Sequence, residues 1–407
     1  MERQKILFVA EAVTLAHVAR ALALAATLDP ARFDIHFACA EGFDFCFTGT
    51  DYTRWPIVSI PGRQFLDALA AGKPVYDEAT LTAYVEADRR LLEQVRPALV
   101  IGDFRLSLSV SARLAGVPYL ALTNAYWSPH VQPGYSVPNI PLTKVLPIAL
   151  ADPLFRMVRP MAFAAHSVPL NKVRRKYGLP ALGFDLRRVY TDADHTAYMD
   201  VPLMFPSTSL PANHSYLGPV LWSPPIAPPL WWDTLPTGRP IVYVTLGSSG
   251  QGHLLPQVLA ALSTLPITLL AATAGNIALG KMPDNVFVAD FLPGEAAAAR
   301  SALVICNGGS PTSQQALAAG VPVLGIASNL DQFLNMHGVI GAGAGLRLRA
   351  DRLRSDALSA TVTGMLGNTA LSEGAAKVAH AFGQMTPGAR ILALVEKMTT
   401  ESLADVA

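Results

Sequence analysis

Short apolar runs alternate with helical patterns along the chain, and the alternation begins at its first residues. Four runs in the first half are rich in β-branched residues, which indicates strands. They are residues 5–10, 33–39, 98–103 and 118–123. The segments between them, such as 17–28 and 108–116, have the composition and apolar spacing of helices.

The second half repeats this alternation. Its predicted strands are residues 241–247, 267–272, 285–290, 302–307, 321–326 and 345–348. Strands that are apolar throughout and separated by helices are typical of parallel sheets covered on both faces. The sequence therefore predicts two tandem Rossmann-like α/β domains, each a doubly wound parallel sheet. Such sheets bind ligands at the carboxyl ends of their strands, so we expect a site in a central cleft that both domains face.

Two proline-rich segments interrupt the pattern. Residues 218–240 cannot continue either sheet, so we interpret them as the interdomain linker between domains at 1–217 and 241–385. Residues 386–407 then form a C-terminal helix, for which a return to the first domain is an open alternative. The second segment, 126–169, has no strand pattern and is apolar. It is either an ordinary packed insert or a binding surface for an apolar molecule or a membrane.

Composition excludes several classes of protein. The 407 residues carry a formal net charge of +1, and only 15% of them are charged, which argues against a nucleic-acid-binding protein. The densest basic run, 171–178, is typical of a solvated helix face. Three cysteines without close spacing predict neither a disulfide framework nor a zinc site. With no long apolar run for a signal peptide or membrane helix, we expect a cytoplasmic protein.

The stretch CNGGSPTSQQALAAGVPVLG, residues 306–325, predicts an anion-binding turn between a strand and a helix. Gly308 and Gly309 let the backbone approach an anion closely, and Ser310 is placed to cap the helix. The first N–H groups and the dipole of the helix then favour a phosphate. A tight strand-to-helix turn without a ligand is the simpler alternative. The downstream NLDQFLN, residues 329–335, follows the next strand and supplies groups suited to sugar hydroxyls.

Together these motifs resemble the nucleotide-sugar-binding region of family 1 glycosyltransferases, inverting enzymes of the GT-B fold that include the UDP-glycosyltransferases and the macrolide glycosyltransferases. NGGSPTSQQALAAGVPVLGIASNLDQFLN follows the family order of a glycine pair, a small polar helix start, Gly-Val-Pro and Asp-Gln with a later Asn. GRPIVYVTLGSSG, residues 238–250, is similar to the first strand and loop of the family's donor domain. The resemblance implies that 1–217 binds the acceptor and 241–385 the donor.

The resemblance also implies roles for individual residues. Phe291, followed by Leu292, stands where an aromatic lies near the base, although an aromatic after a strand is as often core. Asp331 and Gln332 would hold the hexose, and Asn335 would either cap a helix or reach the diphosphate. The diphosphate would be bound around Ser248, Asn307, Gly308, Gly309, Ser310 and Thr312.

Asn307 departs from the family pattern, which has a histidine that reaches a donor phosphate. An asparagine still donates a hydrogen bond, but it carries no charge and so loses the stronger charge-assisted contact. It therefore tunes donor affinity, accommodates another donor, or marks a weakened enzyme.

His17 is the predicted general base for deprotonating the acceptor hydroxyl. It opens the first predicted helix in AEAVTLAHVARALALA, at the carboxyl end of the first strand, and resembles the family's Gly-His-Val start, with Arg20 where a proline is common. Asp103 ends the strand at 98–103 and matches the aspartate that pairs with this histidine, fixing its tautomer. Capping of the following helix is the alternative for Asp103.

No cofactor beyond the donor is expected. The helix start and loop donors would stabilise the leaving diphosphate, so the reaction needs no metal ion. The pair Asp192 and Asp194 has a spacing used by metal-dependent glycosyltransferases of another fold, but it lies away from any glycine-rich loop.

The sequence thus predicts an inverting, metal-independent hexosyltransferase that uses a UDP- or dTDP-sugar, with glucose from UDP-glucose as the first choice. The acceptor would be a hydroxyl of a hydrophobic small molecule or lipid, and residues 126–169 offer a peripheral contact with the inner face of the membrane. Two alternatives remain: a catalytically silent nucleotide-sugar-binding subunit of a partner transferase, and a GT-B-fold epimerase or hydrolase. The chain lacks the GxGxxG of a Rossmann dehydrogenase after its first strand.

Overall fold

The protein contains two parallel β-sheets, and each sheet has its own hydrophobic core. The computed structural model describes residues 3–247, 251–275, 277 and 279–404, the last three of these by their backbone alone. The chain divides into a first unit of Met1–Gln132, Pro153–Val220 and Met385–Ala407, and a second unit of Pro133–Asp152 and Leu221–Gln384.

The first unit contains a seven-stranded sheet in which every pair is parallel, in the order β3-β2-β1-β4-β5-β6-β7. Its strands are β1 Gln4–Ala10, β2 Phe33–Cys39, β3 Thr53–Pro56, β4 Leu99–Asp103, β5 Tyr119–Thr123, β6 His195–Tyr198 and β7 His214–Tyr216. Its helices are α1 Leu15–Ala25, α2 Gly62–Ala71, α3 Glu78–Val95, α4 Leu108–Ala115, most of α6 Ile148–Lys176, α7 Leu186–Tyr190 and α14 Pro387–Ala404.

The second unit contains a six-stranded parallel sheet in the order β10-β9-β8-β11-β12-β13. The strands are β8 Ile241–Thr245, β9 Thr268–Ala272, β10 Val286–Ala289, β11 Leu303–Cys306, β12 Val323–Ala327 and β13 Gly345–Arg349. The helices are α5 Pro141–Val145, α8 Leu255–Leu262, α9 Gly294–Ala299, α10 Ser310–Ala318, α11 Leu330–Gly341, α12 Ser355–Leu366 and α13 Thr369–Gly383.

All ten predicted strands are present, and the fold class of two doubly wound parallel sheets is confirmed. Strands β3, β6 and β7 were not predicted. Each has only three or four residues, and their segments TRWP, HTAY and HSY mix polar and apolar positions, which masks the strand pattern. They extend the first sheet at both of its edges.

The unit boundaries differ from the predicted domain boundaries in one segment. Residues 133–152 lie inside the predicted first domain but group with the second unit. Arginines of β13 explain this, because their side chains bind backbone and side-chain oxygens of the irregular segment. Arg349 donates to Val137 O at 2.5 Å and to Asn139 Oδ1 at 2.9 Å, while Asn139 N donates to Ser328 O at 2.7 Å. The break at Val220 falls within the proline-rich segment 218–240.

The C-terminal helix α14 groups with the first unit. Arg390, in its first turn, donates to Tyr216 O at 3.1 Å, and Glu396 accepts from Arg32 at 2.6 Å. Gly388 lies against Thr27, because a Cβ at this position would come within 3.0 Å of that side chain. A side chain here would crowd Thr27, so glycine suits the close packing of α14 on the end of α1.

A buried histidine, His195, and a half-buried one, His214, lie on the last two strands of the first sheet. Burial lowers the pKa of His195 and of His214 to about 4, and nearby Lys397 and His130 respectively add to the effect. Both rings are hydrogen-bonded in the neutral form, His195 to Ser215 at 2.9 Å and His214 to the Tyr198 hydroxyl at 2.6 Å.

We therefore expect the free energy of unfolding to fall as the pH drops from about 6.5 to 4, because only the unfolded chain takes up protons there. The loss should be roughly 1–2 kcal/mol per histidine after allowing for solvent screening. Urea unfolding at several pH values measures it. The double variant His195→Gln and His214→Asn keeps both hydrogen bonds and should flatten the slope, while exposed His380→Gln should leave it unchanged. An equally steep slope in the double variant would contradict this account.

Candidate active site

His17 and Asp103 meet at the carboxyl end of the first sheet. Strands β1 and β4 pair in a register that places Ala10 opposite Asp103, so the loop after β1 passes over the end of β4. Helix α1 then begins at Leu15 and carries His17 in its first turn. The His17 Nδ1 atom lies 2.7 Å from Asp103 Oδ1. The side chain of Asp103 is 1% exposed and that of His17 is 17% exposed.

This contact selects one tautomer of the imidazole. A carboxylate oxygen only accepts hydrogen bonds, so Nδ1 carries the proton and donates it to Asp103. The lone pair is then on Nε2, where it can accept a proton from an incoming hydroxyl. The ring that would become charged is already paired with a buried carboxylate.

Arg20 shares the same carboxylate oxygen, and sequence analysis gave it no role. It follows His17 by nearly one turn of α1, and its Nη2 atom lies 3.0 Å from Asp103 Oδ1 and 3.1 Å from His17 Nδ1. Its Nη1 atom donates to Asn124 Oδ1 at 2.8 Å, and the Asn124 amide donates to Asp200 at 3.1 Å. A buried chain of polar groups therefore fixes Asp103 from behind. The sequence could have indicated a role for Arg20, because residues three apart on a helix lie on the same face, as His17 and Arg20 do.

Phe104 packs against the face of the His17 ring. The two rings are parallel within 9°, with centroids 4.9 Å apart. Phe104 has a φ of +60°, a left-handed conformation that is rare for a bulky residue and turns the chain sharply after Asp103. Its ring also meets Phe65, Tyr76 and Tyr190 at centroid distances of 5.5–6.3 Å.

Next to these rings is a small apolar cavity of about 20 Å³. Tyr76, Phe104, Tyr190, Leu106 and Leu170 are among the residues that line it. The cavity lies entirely within the first unit, and Phe104 separates it from the imidazole of His17. An apolar group attached to a hydroxyl suits such a wall.

A second buried ion cluster supports the loop after β1. Arg105 has no exposed side-chain surface and binds Glu11 at 2.6 Å and Asp88 at 2.9 Å. Tyr84 donates to Glu11 at 3.2 Å, and Ser107 donates to Asp88 at 2.5 Å. Glu11 directly follows β1, so this cluster ties the loops after β1 and β4 together. Removing one member of such a buried pair costs about 3–5 kcal/mol.

In the second unit, the predicted phosphate loop joins β11 to α10. Gly308 has a φ of +81°, and a Cβ there would lie 2.9 Å from Met336 Cγ, so glycine is required. The helix cap differs from the prediction. Gly309 is the N-cap and Ser310 is already the first helical residue, followed by Pro311 in the first turn. Within the described residues, the N–H groups of Ser310 and Thr312 have no backbone acceptor, as expected at a helix start.

Asn335 supports this loop from the protein interior. Its side chain is buried, and its Nδ2 donates to Gly308 O at 2.8 Å and to Ser313 Oγ at 2.9 Å. The Ser313 hydroxyl in turn donates to Gly309 O at 2.9 Å. Asn335 lies inside α11 and not at a helix start, and its contact with the diphosphate stays a prediction. Its amide positions the loop that would face an anion.

Asn307 uses its side chain within the loop. Its Oδ1 accepts the Gly309 N–H at 2.9 Å, which closes a local turn at the start of α10. Its Nδ2 faces Gly247, where an added Cβ would lie 3.0 Å from that nitrogen. The oxygen is therefore committed to the loop, and only the amide N–H groups remain to meet a ligand.

Gln332 has a structural task that sequence analysis did not predict. With Asn329 it forms a capping box at the start of α11, and its Oε1 accepts from Ser328 N at 2.8 Å and from Ser328 Oγ at 3.0 Å. The residue is 3% exposed. Only its Nε2 amide could face a sugar, whereas its neighbour Asp331 is half-buried in the first turn of α11.

Phe291 and Leu292 follow β10 and differ in exposure. Phe291 is 46% exposed, and a Cβ added at Gly275 would lie 3.6 Å from its ring, so the ring is available to stack on a ligand. Leu292 is 4% exposed, which leaves only its backbone for ligand contact. The other predicted residue of this region, Ser248, lies outside the described residues.

Asp192 and Asp194 are both engaged inside the first unit. Asp192 accepts from Arg113 at 3.0 Å and from Arg174 at 2.5 Å, and Asp194 accepts the backbone N–H of Tyr119 at 2.8 Å. Their carboxylates thus join β5 to α4 and α6. In the part of the chain that the structure describes, no group of three or more His, Cys, Asp or Glu side chains has a metal-binding arrangement.

Comparison with known families and structures agrees with this architecture. Residues 257–396 match the model of the erythromycin biosynthesis protein CIII-like C-terminal domain. The solved spinosyn rhamnosyltransferase SpnG complexed with thymidine diphosphate superimposes with a TM-score of 0.69 at 20% identity, over 96% of this chain and 99% of that one. Similarity at this level shows a shared GT-B fold.

Two curated relatives are much closer in sequence. A PGL/p-HBAD biosynthesis rhamnosyltransferase of Mycobacterium bovis (strain BCG / Pasteur 1173P2) is 54% identical over 94% of this chain and 85% of its own length. A PGL/p-HBAD biosynthesis glycosyltransferase of Mycobacterium tuberculosis (strain ATCC 25177 / H37Ra) is 52% identical over 94% of this chain and 89% of its own length. The chain therefore belongs to the family 1-type GT-B glycosyltransferases, together with these PGL/p-HBAD biosynthesis enzymes.

Proposed function

We propose that the protein transfers a hexose from a nucleoside-diphosphate sugar to a hydroxyl of a hydrophobic acceptor, with inversion at the anomeric carbon. The observation that carries this proposal is the 2.7 Å hydrogen bond between His17 Nδ1 and Asp103. It leaves the imidazole lone pair on Nε2 and keeps a carboxylate next to the ring that will be charged. This is the arrangement that a general base for a hydroxyl needs.

In the proposed reaction, Nε2 of His17 accepts the proton of the acceptor hydroxyl while its oxygen forms a bond to the anomeric carbon. The bond from that carbon to the diphosphate oxygen breaks on the opposite face, and the nucleoside diphosphate leaves with the electron pair. The N-terminus of α10 and the loop at Asn307–Ser310 stabilise the negative charge on the leaving group. No step requires a metal ion.

Two donors are proposed. Rhamnose from a thymidine-diphosphate donor is favoured by the 54% identical relative described as a rhamnosyltransferase, and the SpnG structure is described as a complex with thymidine diphosphate. Glucose from UDP-glucose, the choice from the family resemblance, is the second candidate. Rhamnose is 6-deoxy-L-mannose, so it differs from D-glucose both in its C6 methyl group and in the stereochemistry of the ring carbons.

The acceptor is proposed to be hydrophobic and hydroxylated. The apolar cavity beside Phe104 supports this, because a polar acceptor would gain little from a wall of Tyr76, Leu106 and Tyr190. The relatives' description as PGL/p-HBAD biosynthesis enzymes suggests the acceptors with which to start.

A catalytically silent sugar-binding subunit is the second candidate function. One observation favours it: a Mycobacterium bovis relative that is 51% identical over 64% of this chain is described as an inactive PGL/p-HBAD biosynthesis glycosyltransferase. Asn307, in place of a chargeable side chain, agrees with this alternative. Turnover by the purified protein separates the two candidates.

The first test is transfer by the wild-type protein and by His17→Ala. With dTDP-rhamnose, UDP-glucose and hydrophobic hydroxylated acceptors, we expect nucleotide release from the wild type and a kcat about 10²–10⁴ lower in His17→Ala. The affinity for the donor, measured by calorimetry, should stay the same, because His17 belongs to the first unit. Equal rates in both proteins, or donor binding without turnover in the wild type, would contradict the base assignment. Loss of activity in EDTA that is reversed by added metal would contradict the metal-free reaction.

Replacement of Arg20 should reduce turnover through Asp103. In Arg20→Met, the buried Asp103 loses its cation and a hydrogen-bond donor, so the carboxylate is held less firmly in the position that orients His17. We expect kcat to fall by about tenfold or more with donor affinity unchanged, and Arg20→Lys to recover part of the loss. Exposed Arg63→Met serves as the control. A folded Arg20→Met protein with wild-type kcat would show that Arg20 is only structural.

Asn307→His should strengthen donor binding. A neutral histidine can accept the Gly309 N–H with Nδ1, as Asn307 Oδ1 does, while its Nε2–H reaches further out of the loop. One added hydrogen bond is worth about 0.5–1.5 kcal/mol, or roughly two- to tenfold in the Kd of the nucleoside diphosphate. Asn307→Ala, which loses the loop contact, should weaken binding. If all three proteins bind UDP and thymidine diphosphate equally, this side chain does not touch the donor.

A further inference from the structure

Helix α6 exposes apolar side chains along one side of its length in the first unit, residues 153–176. Met157 is 71% exposed, Met161 is 74% exposed and Val168 is 38% exposed. They are four and seven residues apart, which places them on one face of a helix. The opposite face is buried through Phe155, Phe163, Leu170 and Val173. The exposed side chains are therefore not needed for the core.

All the charged side chains in the same stretch of helix are basic. Residues 153–176 contain no Asp or Glu, and Arg156, Lys172, Arg175 and Lys176 are exposed. Lys172 lies 3.3 Å from Glu78 of α3, where both side chains are about half exposed. Arg175 and Lys176 stand in the last turn, beyond Val168, so cations adjoin the apolar side chains along the helix axis.

An exposed aromatic side chain lies in the loop that follows. The buried Asn171 of α6 accepts from Leu182 N and donates to Gly183 O, each at 2.7 Å, which fixes this loop against the helix. Phe184, the next residue, is 73% exposed. The two hydrogen bonds fix the backbone just before Phe184, and an exposed large aromatic side chain adds apolar surface next to the end of α6.

We propose that Met157, Met161, Val168, Phe184, Arg175 and Lys176, here called the basic apolar face, bind the surface of an anionic lipid bilayer. Apolar side chains flanked by Lys and Arg are the features of helices that lie in the plane of a membrane interface. The cations attract anionic head groups, and the methionines and Phe184 enter the boundary between head groups and acyl chains. Among the described residues, no helix has the length and apolar character to cross a bilayer.

Charge and helix shape favour a membrane over a second copy of the chain. Two copies of this face would bring cations against cations, because the helix stretch contains no acidic residue. Pro153, Pro160 and Pro169 interrupt the hydrogen bonding of α6, which disfavours the regular packing of a coiled coil. A fluid lipid surface requires neither a complementary charge pattern nor a straight helix.

Binding of the full-length protein to vesicles, without donor or acceptor, tests this directly. We expect co-sedimentation with phosphatidylcholine vesicles that contain about one third phosphatidylglycerol, weakening at about 0.5 M NaCl. Binding to pure phosphatidylcholine should be at least several-fold weaker. Absence of binding to the anionic vesicles, or equal binding to both kinds, would overturn the proposal.

Paired variants assign the binding to this face. Met157→Ser with Met161→Ser, and separately Arg175→Glu with Lys176→Glu, should each lower the vesicle partition coefficient by about tenfold or more. The matched control, Leu230→Ser with Lys377→Glu, changes an exposed apolar and an exposed basic residue elsewhere and should bind like the wild type. Equal losses in the control would overturn the assignment.

Two further measurements separate this proposal from its alternatives. Sedimentation velocity of the Met157→Ser, Met161→Ser protein should match the wild type, whereas a dimer that dissociates on substitution would identify a second copy as the occupant. Transfer to a water-soluble acceptor should be unchanged in the face variants. Because vesicle binding is measured without substrates, its failure is distinct from a failure of the proposed transferase activity.

Discussion

The carboxylate of Asp103 is the point on which the candidate site of the first unit depends. It ends β4, is almost completely buried, and is bound on one oxygen by both His17 and Arg20. A buried carboxylate is stable only with partners that donate to it, so its surroundings must be ordered before any substrate arrives. Parallel pairing of β1 with β4 brings these partners together, since both strands end at the same edge.

The aromatic and ionic groups around Asp103 follow from the same edge. Phe104, turned by its positive φ, covers the imidazole, while Arg105 points into the ion cluster with Glu11 and Asp88. Three consecutive residues at the end of β4 thus orient the proposed base, form one wall of the apolar cavity, and join the loops after β1 and β4. A change at any of them would disturb the other two.

In the second unit, most polar side chains near the predicted phosphate loop hold the loop instead of facing outward. Asn335 binds Gly308 O, Asn307 binds Gly309 N, and Gln332 caps α11. What remains for an anion is the backbone of a helix start, preshaped by these contacts. This explains how an asparagine can stand at position 307: its first task is to form the turn, which needs an acceptor and no charge.

Features of the fold and site that rest on residues close together in the sequence could be predicted, whereas features that rest on contacts between distant residues could not. The ten predicted strands were recognisable because their segments are mostly apolar, while β3, β6 and β7 were missed because their short segments mix polar and apolar residues. His17 and Asp103 were predictable as strand-end residues that match a family motif. The pairing of residues 133–152 with the second unit was not predictable, because it rests on contacts of Arg349 more than 200 residues away.

By itself, the sequence determined the two parallel sheets, the order of their strands along the chain, and the glycine turn before α10, since apolar periodicity and backbone freedom are local properties. Only the tertiary structure decided which polar side chains form hydrogen bonds within the fold. Gln332 and Asn335 resemble ligand contacts in the sequence, and the structure adds that each also hydrogen-bonds within the fold, Gln332 at the start of α11 and Asn335 to Gly308 O. Arg20 looked incidental, yet it shares the carboxylate of Asp103. The reason is physical: a polar group's role depends on the partners that folding places within about 3 Å of it.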